Sequence, residues 1–292
     1  MKSNQTNAFS CILLGSQSLM IQCGEILQTQ GHEIRAVVSR DPAIVQWTEQ
    51  RDLRLIDPAA DLATELSDEP FDYLFSITNL AILPEAVLEL PTRCAINFHD
   101  GPLPRYAGLY APAWALIHGE TRYGVTFHEM TTEIDAGRIL KQRFFEVTAG
   151  ESSLSINTKC FEAGIDAFCE LVTELADGTT EPQRQDLAQK SYFGKHERPG
   201  ALCVLDWAGS AMAIERLVRA LDFGPYENPL GSAKLAHAGQ GVLVRSATAI
   251  ERESSASPGE ILASEGGVLV VATDDGAVEL TGFTTPSGRD LS

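Results

Sequence analysis

The sequence has no run of eighteen apolar residues, no C-x-x-C pair and few cations. Only 22 Lys plus Arg stand against 40 Asp plus Glu, for a formal net charge of −18. Each shortage excludes something. Without a long apolar run no membrane-spanning helix is expected, and the start MKSNQTNAFS lacks the basic-then-apolar order of a secretory signal. A cytoplasmic location is expected. A field of this sign repels phosphate backbones and anionic bilayers, so neither nucleic acid nor a membrane is expected as partner. The six cysteines (Cys11, Cys23, Cys94, Cys160, Cys169, Cys203) lie far apart, with no His nearby at metal-ligand spacing. They read as reduced, buried small hydrophobes rather than a disulfide framework. No metal is expected: His118 falls at a helix end and His128 in a strand, both without carboxylates at ligand spacing.

What is present suits a globular chain: 292 residues, 44% of them hydrophobic, enough for one large domain and a smaller one. Phe9 to Leu14 is a short apolar run that meets Gly15 and passes into a helical pattern through Leu19, Ile26 and Leu27. Similar runs over Glu33 to Ser39, Leu53 to Ile56 and Phe71 to Ile77 are separated by helical stretches. That alternation predicts a doubly wound α/β fold with a mostly parallel sheet. The first turn is not a dinucleotide fingerprint, because Ser16-Gln17-Ser18-Leu19-Met20 lacks its second and third glycines. Further strands are expected over Gly124 to Met130 and Arg138 to Val147, and a long helix over Ser153 to Ala176. The expected organisation is a catalytic domain over 1–182, a polar linker over 183–200 and a small β domain, open-barrel-like, over 201–292. Its β segments are short and divided by Gly, Ser and Pro clusters.

The least ordinary stretch is INFHDGPLPRYAGLYAPAWALIHG, residues 96–119. Successive strand side chains alternate faces, so Asn97 and His99 share one face and Ile96 and Phe98 the other. Asp100-Gly101-Pro102 ends the strand at once, which puts the pair beyond a carboxyl end, where open α/β sheets build their sites. The stiff loop Leu103-Pro104-Arg105-Tyr106-Ala107-Gly108 follows, then a helix through Trp114. A second polar loop, Glu133-Ile134-Asp135-Ala136-Gly137, carries an acid able to reach the same crevice. An amide, an imidazole and a carboxylate form a workable acyl-transfer set.

These residues carry a resemblance. Asn-x-His, Leu-Pro-Arg-Tyr-x-Gly, a Trp-Ala helix ending His-Gly-Glu, Gly-Val-Thr and Ile-Asp-x-Gly-x-Ile-Leu follow one another in order. The order resembles the 10-formyltetrahydrofolate-dependent formyltransferases, over about residues 10 to 180. Leu205-Asp206-Trp207 and Arg219-Ala220-Leu221-Asp222-Phe223 extend it more weakly toward the family's small C-terminal β domain. The resemblance implies a folate cosubstrate, 10-formyltetrahydrofolate, and a catalytic trio at Asn97, His99 and Asp135. It implies a pteridine site at the loop Leu80, Ala81, Ile82, Leu83 and at Ile134-Asp135.

For the acceptor amine, transfer RNA is disfavoured, since residues 201–292 hold six Lys plus Arg against twelve Asp plus Glu. The wording of the 99–108 loop and of Leu221 to Gly231 is most similar to formyltransferase domains of nonribosomal peptide and polyketide assembly lines. There the amine is borne by a carrier protein. The end at Gly288-Arg289-Asp290-Leu291-Ser292 fits a piece of a longer chain, and equally a frayed terminus. A sugar-nucleotide amine is the alternative acceptor; a formyltetrahydrofolate hydrolase and a non-catalytic folate-binding module are the other readings.

Overall fold

A computed structural model describes residues 7–237, 239–251 and 256–291. In chain order the first elements are β1 (Ser10–Gly15), α1 (Gln17–Thr29), β2 (Glu33–Val38), α2 (Pro42–Gln50), β3 (Leu55–Ile56), α3 (Leu62–Glu65), β4 (Tyr73–Ile77), α4 (Glu85–Leu88) and β5 (Cys94–His99). There follow β6 (Ala107–Gly108), α5 (Ala111–His118), β7 (Arg122–Glu129), β8 (Ile139–Glu146), α6 (Ser153–Asp177), β9 (Tyr192–Phe193) and α7 (Ala211–Ala220). The last strands are β10 (Lys234–His237), β11 (Gln240–Ile250), β12 (Ile261–Glu265), β13 (Val268–Ala272) and β14 (Ala277–Thr284). The chain resolves into two compact units. One comprises Met1–Gly108, Tyr123–Phe145 and Lys159–Tyr192; the other comprises Leu109–Arg122, Glu146–Thr158 and Phe193–Ser292.

The first unit is built on a seven-stranded sheet in the order β3-β2-β1-β4-β5-β7-β8. β1 through β5 pair in parallel, as runs buried on both faces should. β7 reverses, pairing antiparallel with β5 so that Asn97 lies opposite His128 and His99 opposite Thr126. The mostly parallel, doubly wound expectation holds, with this one reversal beside the site. Aromatic packing fixes the α6 side of the sheet: Phe168 meets Phe75 edge-on with centroids 5.1 Å apart and Phe127 at 5.5 Å. Gly15, in the first turn, serves the sheet rather than a phosphate. A Cβ there would lie 1.8 Å from the Ile77 carbonyl oxygen, so only glycine lets the ends of β1 and β4 approach.

In the second unit a five-stranded antiparallel sheet runs β10-β11-β14-β13-β12. α7 starts at Ser210, whose hydroxyl accepts the Ala213 N–H at 3.1 Å, and buries Ile214 and Val218. Glu215 accepts the Ala249 N–H of β11 at 2.7 Å, tying the helix to the sheet. Among the described residues no helix is long and apolar enough to cross a membrane. All six cysteines are free, but the sequence expectation for them fails in part: Cys169 is exposed and Cys94 half-buried, while the other four are buried. Cys169 stands on the outer face of α6, where the Gln30 amide meets its sulfur at 3.5 Å.

Candidate active site

Three sheet-end loops and the last residues of β5 converge at the carboxyl edge of the first unit's sheet. Asn97 is held from one side by the fully buried Ser76 of β4, whose hydroxyl donates to its Oδ1 at 2.9 Å. That bond decides the amide's orientation and turns Nδ2 toward His128 Nε2, 3.3 Å away. His128 in turn donates from Nδ1 to the Glu129 carbonyl at 2.8 Å, and its Nε2 lies between the Asn97 amide and Asp135 Oδ1, 3.5 Å away.

His99, buried at the end of β5, donates from Nε2 to the Tyr106 carbonyl at 2.7 Å. Its other nitrogen, Nδ1, faces carboxylates: Asp135 Oδ2 at 3.8 Å and Asp100 Oδ1 at 4.0 Å. A backbone bond on one edge thus fixes the tautomer and leaves the opposite edge for chemistry. The Gly101 that breaks the strand makes this possible. A Cβ there would come 2.7 Å from His99 Nε2 and 3.0 Å from the Tyr106 oxygen. Gly101→Ala is therefore expected to break the ring's anchor and lower the turnover number about tenfold or more, through misplacement of the imidazole. Steady-state kinetics beside a thermal melt of the variant check this.

Asp135 has a left-handed backbone, φ 53°, a conformation Asp tolerates better than most residues. Its Oδ2 accepts the Gly108 N–H at 2.8 Å and its Oδ1 lies 3.5 Å from His128 Nε2. Burial would raise its carboxyl, but the His128 contact, the nearby His99 and the Gly108 N–H together outweigh burial and hold it well below the usual carboxylate range. Asp100 goes the other way. Burial pushes its carboxyl up against the pull of His99, and the Asp135 charge adds to the rise. One acid is thus kept ionised between two imidazoles while its neighbour is driven toward neutrality, the divergence typical of working sites.

The structure brings Asn97, His99 and Asp135 together, with Asp135 in contact with the one imidazole and with the His128 that Asn97 meets. His128, which the sequence reading weighed only as a metal ligand, stands between Asn97 and Asp135. The signal existed only in the register of β5 against β7. Among the described residues no group of three or more His, Cys, Asp or Glu is placed to hold a metal ion.

The loop after β4 is closed by the Asn79 side chain, which accepts the Ala81 N–H at 3.0 Å and donates to the Ala81 carbonyl at 2.9 Å. The same Nδ2 reaches Ser76 Oγ at 3.4 Å, so a polar chain runs from this loop through Ser76 to Asn97. Leu80 and Ile82 stand out, 78% and 77% exposed, and Ile134 is exposed as well. Leu83 differs from them: only 8% exposed, it packs with Val87, Leu74 and Ala95 in the core.

Residues 27–172 match the family model "Formyl transferase" and residues 201–292 the model "Formyl transferase, C-terminal domain". Among solved structures the chain is similar to the sugar 3N-formyl transferase WlaRD, determined with dTDP and 5-N-formyl-THF. That likeness has a TM-score of 0.74 at 15% identity and covers 98% of each chain. An N-formyltransferase from Helicobacter canadensis, in complex with folinic acid and dTDP-3-aminofucose, gives 0.74 at 16% identity, over 95% of this chain and all of the other. HypX from Aquifex aeolicus, in complex with tetrahydrofolic acid, gives 0.64 at 24% identity, covering 95% of this chain but 44% of HypX. With both family models matched in order along most of its length, the chain belongs to the formyl transferase family.

Proposed function

We propose that this formyltransferase moves the formyl group of 10-formyltetrahydrofolate onto the amine of a nucleotide-linked sugar. The observation that carries the chemistry is the buried carboxylate of Asp135, 3.8 Å from His99 Nδ1 and 3.5 Å from His128 Nε2. The acceptor class is supported by full-length likeness to enzymes crystallised with dTDP or a dTDP-amino sugar. A carrier-borne amine, which the loop wording placed first, has no such support among these structures.

In this reading the amine attacks the formyl carbon, its nitrogen–carbon bond forms, and negative charge grows on the formyl oxygen. Asn97, its Oδ1 held by the Ser76 hydroxyl, offers an amide hydrogen to that oxygen. With Nε2–H committed to the Tyr106 carbonyl, only Nδ1 of His99 has a lone pair to take the amine's proton, and Asp135 stabilises the resulting imidazolium. The same proton passes to N10 as the carbon–N10 bond breaks, giving an N-formyl amide and tetrahydrofolate. No net charge is created or lost.

The pteridine is placed against the exposed Leu80 and Ile82 and against Ile134, with the Ala81 backbone and the Asp135 loop reading its edge. Replacing Leu80 and Ile82 together by Ser is expected to weaken tetrahydrofolate binding about tenfold, on the apolar area lost. The turnover number at saturating folate should stay near that of the unaltered protein, a split that titration calorimetry and kinetics together resolve.

The acceptor is tested by incubating the protein with 10-formyltetrahydrofolate and a panel of dTDP- and UDP-linked amino sugars and aminoacyl carrier proteins. A mass gain of about 28 daltons, one CO unit, on a sugar nucleotide supports the reading. Formylation confined to carrier proteins would replace the acceptor, and stoichiometric formate release without any amine would make the protein a hydrolase.

A further inference from the structure

We infer that residues 183–191 form a strap that sets the positions of both loops of the active site, with Gln185 as its principal positioning residue. This rests on the formyl-transfer reading of the site. The sequence marks the stretch only as part of a polar linker, but in the fold Gln185, Lys190 and Ser191 each bond the backbone of an active-site loop. Gln183 and Ile139 exchange backbone bonds of 2.8 Å each, fixing the strap to the first residue of β8. Gln185 Nε2 then donates both hydrogens into the 134–137 loop, to the Asp135 carbonyl at 2.9 Å and the Gly137 carbonyl at 2.7 Å. Lys190 Nζ donates to the Ile134 carbonyl at 2.8 Å. Ser191 grips the other loop: its hydroxyl accepts the Tyr106 N–H at 2.8 Å and its carbonyl the Ala107 N–H at 2.9 Å.

The grip falls where the backbone needs it. Asp135 and Tyr106 both hold left-handed conformations, φ 53° and 61°, which persist only when the surroundings over-determine them. Their carbonyls also stand outside any ladder and need donors from elsewhere. The Tyr106 carbonyl orients His99, and the Gly108 N–H orients Asp135. A strap that fixes residues 106–107 and 134–137 therefore fixes the 3.8 Å separation of His99 and Asp135. Gln185 gives up something for this role, since its Oε1 is buried without a hydrogen-bond partner. A side chain serving packing alone would be apolar there.

Gln185→Met keeps the length of the side chain and removes both donors. The expected result is a turnover number about ten- to a hundredfold lower at saturating folate, the scale of a small misplacement at the chemistry. As Asp135 loses its partners its carboxyl returns toward its ordinary range, so an acid limb absent from the unaltered enzyme should enter the pH–rate profile. Amide exchange should quicken at residues 106–108 and 134–138 and stay unchanged in β1 and β4. Gln185→Glu, which sets a carboxylate against two carbonyls, should be at least as slow. A turnover number within twofold of normal, or exchange that quickens over the whole unit in proportion to a lower melting point, would overturn the strap. If the unaltered protein transfers no formyl group at all, it is the functional reading that fails, and the exchange pattern alone still decides whether the strap holds these loops.

Discussion

Asp135→Asn is expected to lower the turnover number for formyl transfer by about a thousandfold, within the range for losing a positioned acid–base group, while tetrahydrofolate still binds. The substitution is nearly isosteric, and the Asn carbonyl oxygen can still accept the Gly108 N–H that Oδ2 accepts at 2.8 Å. What disappears is the charge. An imidazolium at His99 would then have no counterion 3.8 Å from Nδ1, and proton transfer from the attacking amine would become uphill. Kinetics of the variant, with folate titrated separately, check the result; turnover within tenfold of normal would remove Asp135 from the mechanism.

The sign of the pH dependence follows from the same carboxyl. Asp135 is held below its ordinary range when folded, through His128, His99 and the Gly108 N–H acting against burial. Its contribution to stability is therefore complete above the unfolded carboxylate value of about 4 and is lost as pH falls toward the depressed folded value. The difference in denaturation midpoint between the unaltered protein and Asp135→Asn should shrink as pH is lowered below about 4. By the same argument the unaltered enzyme shows no acid limb from Asp135 in the ordinary carboxylate range.

Much of this arrangement can be read from the sequence because strong local signals carry it. The apolar runs that became β1 and β5 are stopped by Gly15 and by Asp100-Gly101-Pro102, and the Asn97/His99 pair follows from strand alternation alone. What escaped is what depends on pairing partners far apart in the chain. The reversal of β7 and its register against β5 place His128 across from Asn97, and no property of GVTFHEM announces that. Leu83 looks like Leu80 and Ile82 in a polar setting, yet the start of α4 turns it inward beside Val87. Gln185 lies in a stretch whose composition says only that it is solvated. Its contacts, 48 and 50 residues away, exist only once the 134–137 loop has folded. Local chemistry was visible; the second layer that positions it is non-local.

Replacing His99 by Ala is expected to have the other large effect, a fall in turnover number of about a hundred- to a thousandfold. Two losses combine. The site loses the Nδ1 lone pair that receives the amine's proton, and the Tyr106 carbonyl loses the donor that meets it at 2.7 Å. The second loss is structural and should appear as a stability decrease of about 1 kcal/mol, the scale of one hydrogen bond removed. Chemical rescue separates them: the cavity left by the ring should admit free imidazole, which can restore proton transfer without being tethered. Recovery of a measurable fraction of the lost rate, saturable in imidazole and absent for Asp135→Asn, assigns the defect to chemistry. A melting point lowered to the assay temperature, with no rescue, would mean that His99 matters for holding the 103–108 loop and that the proton travels by another route.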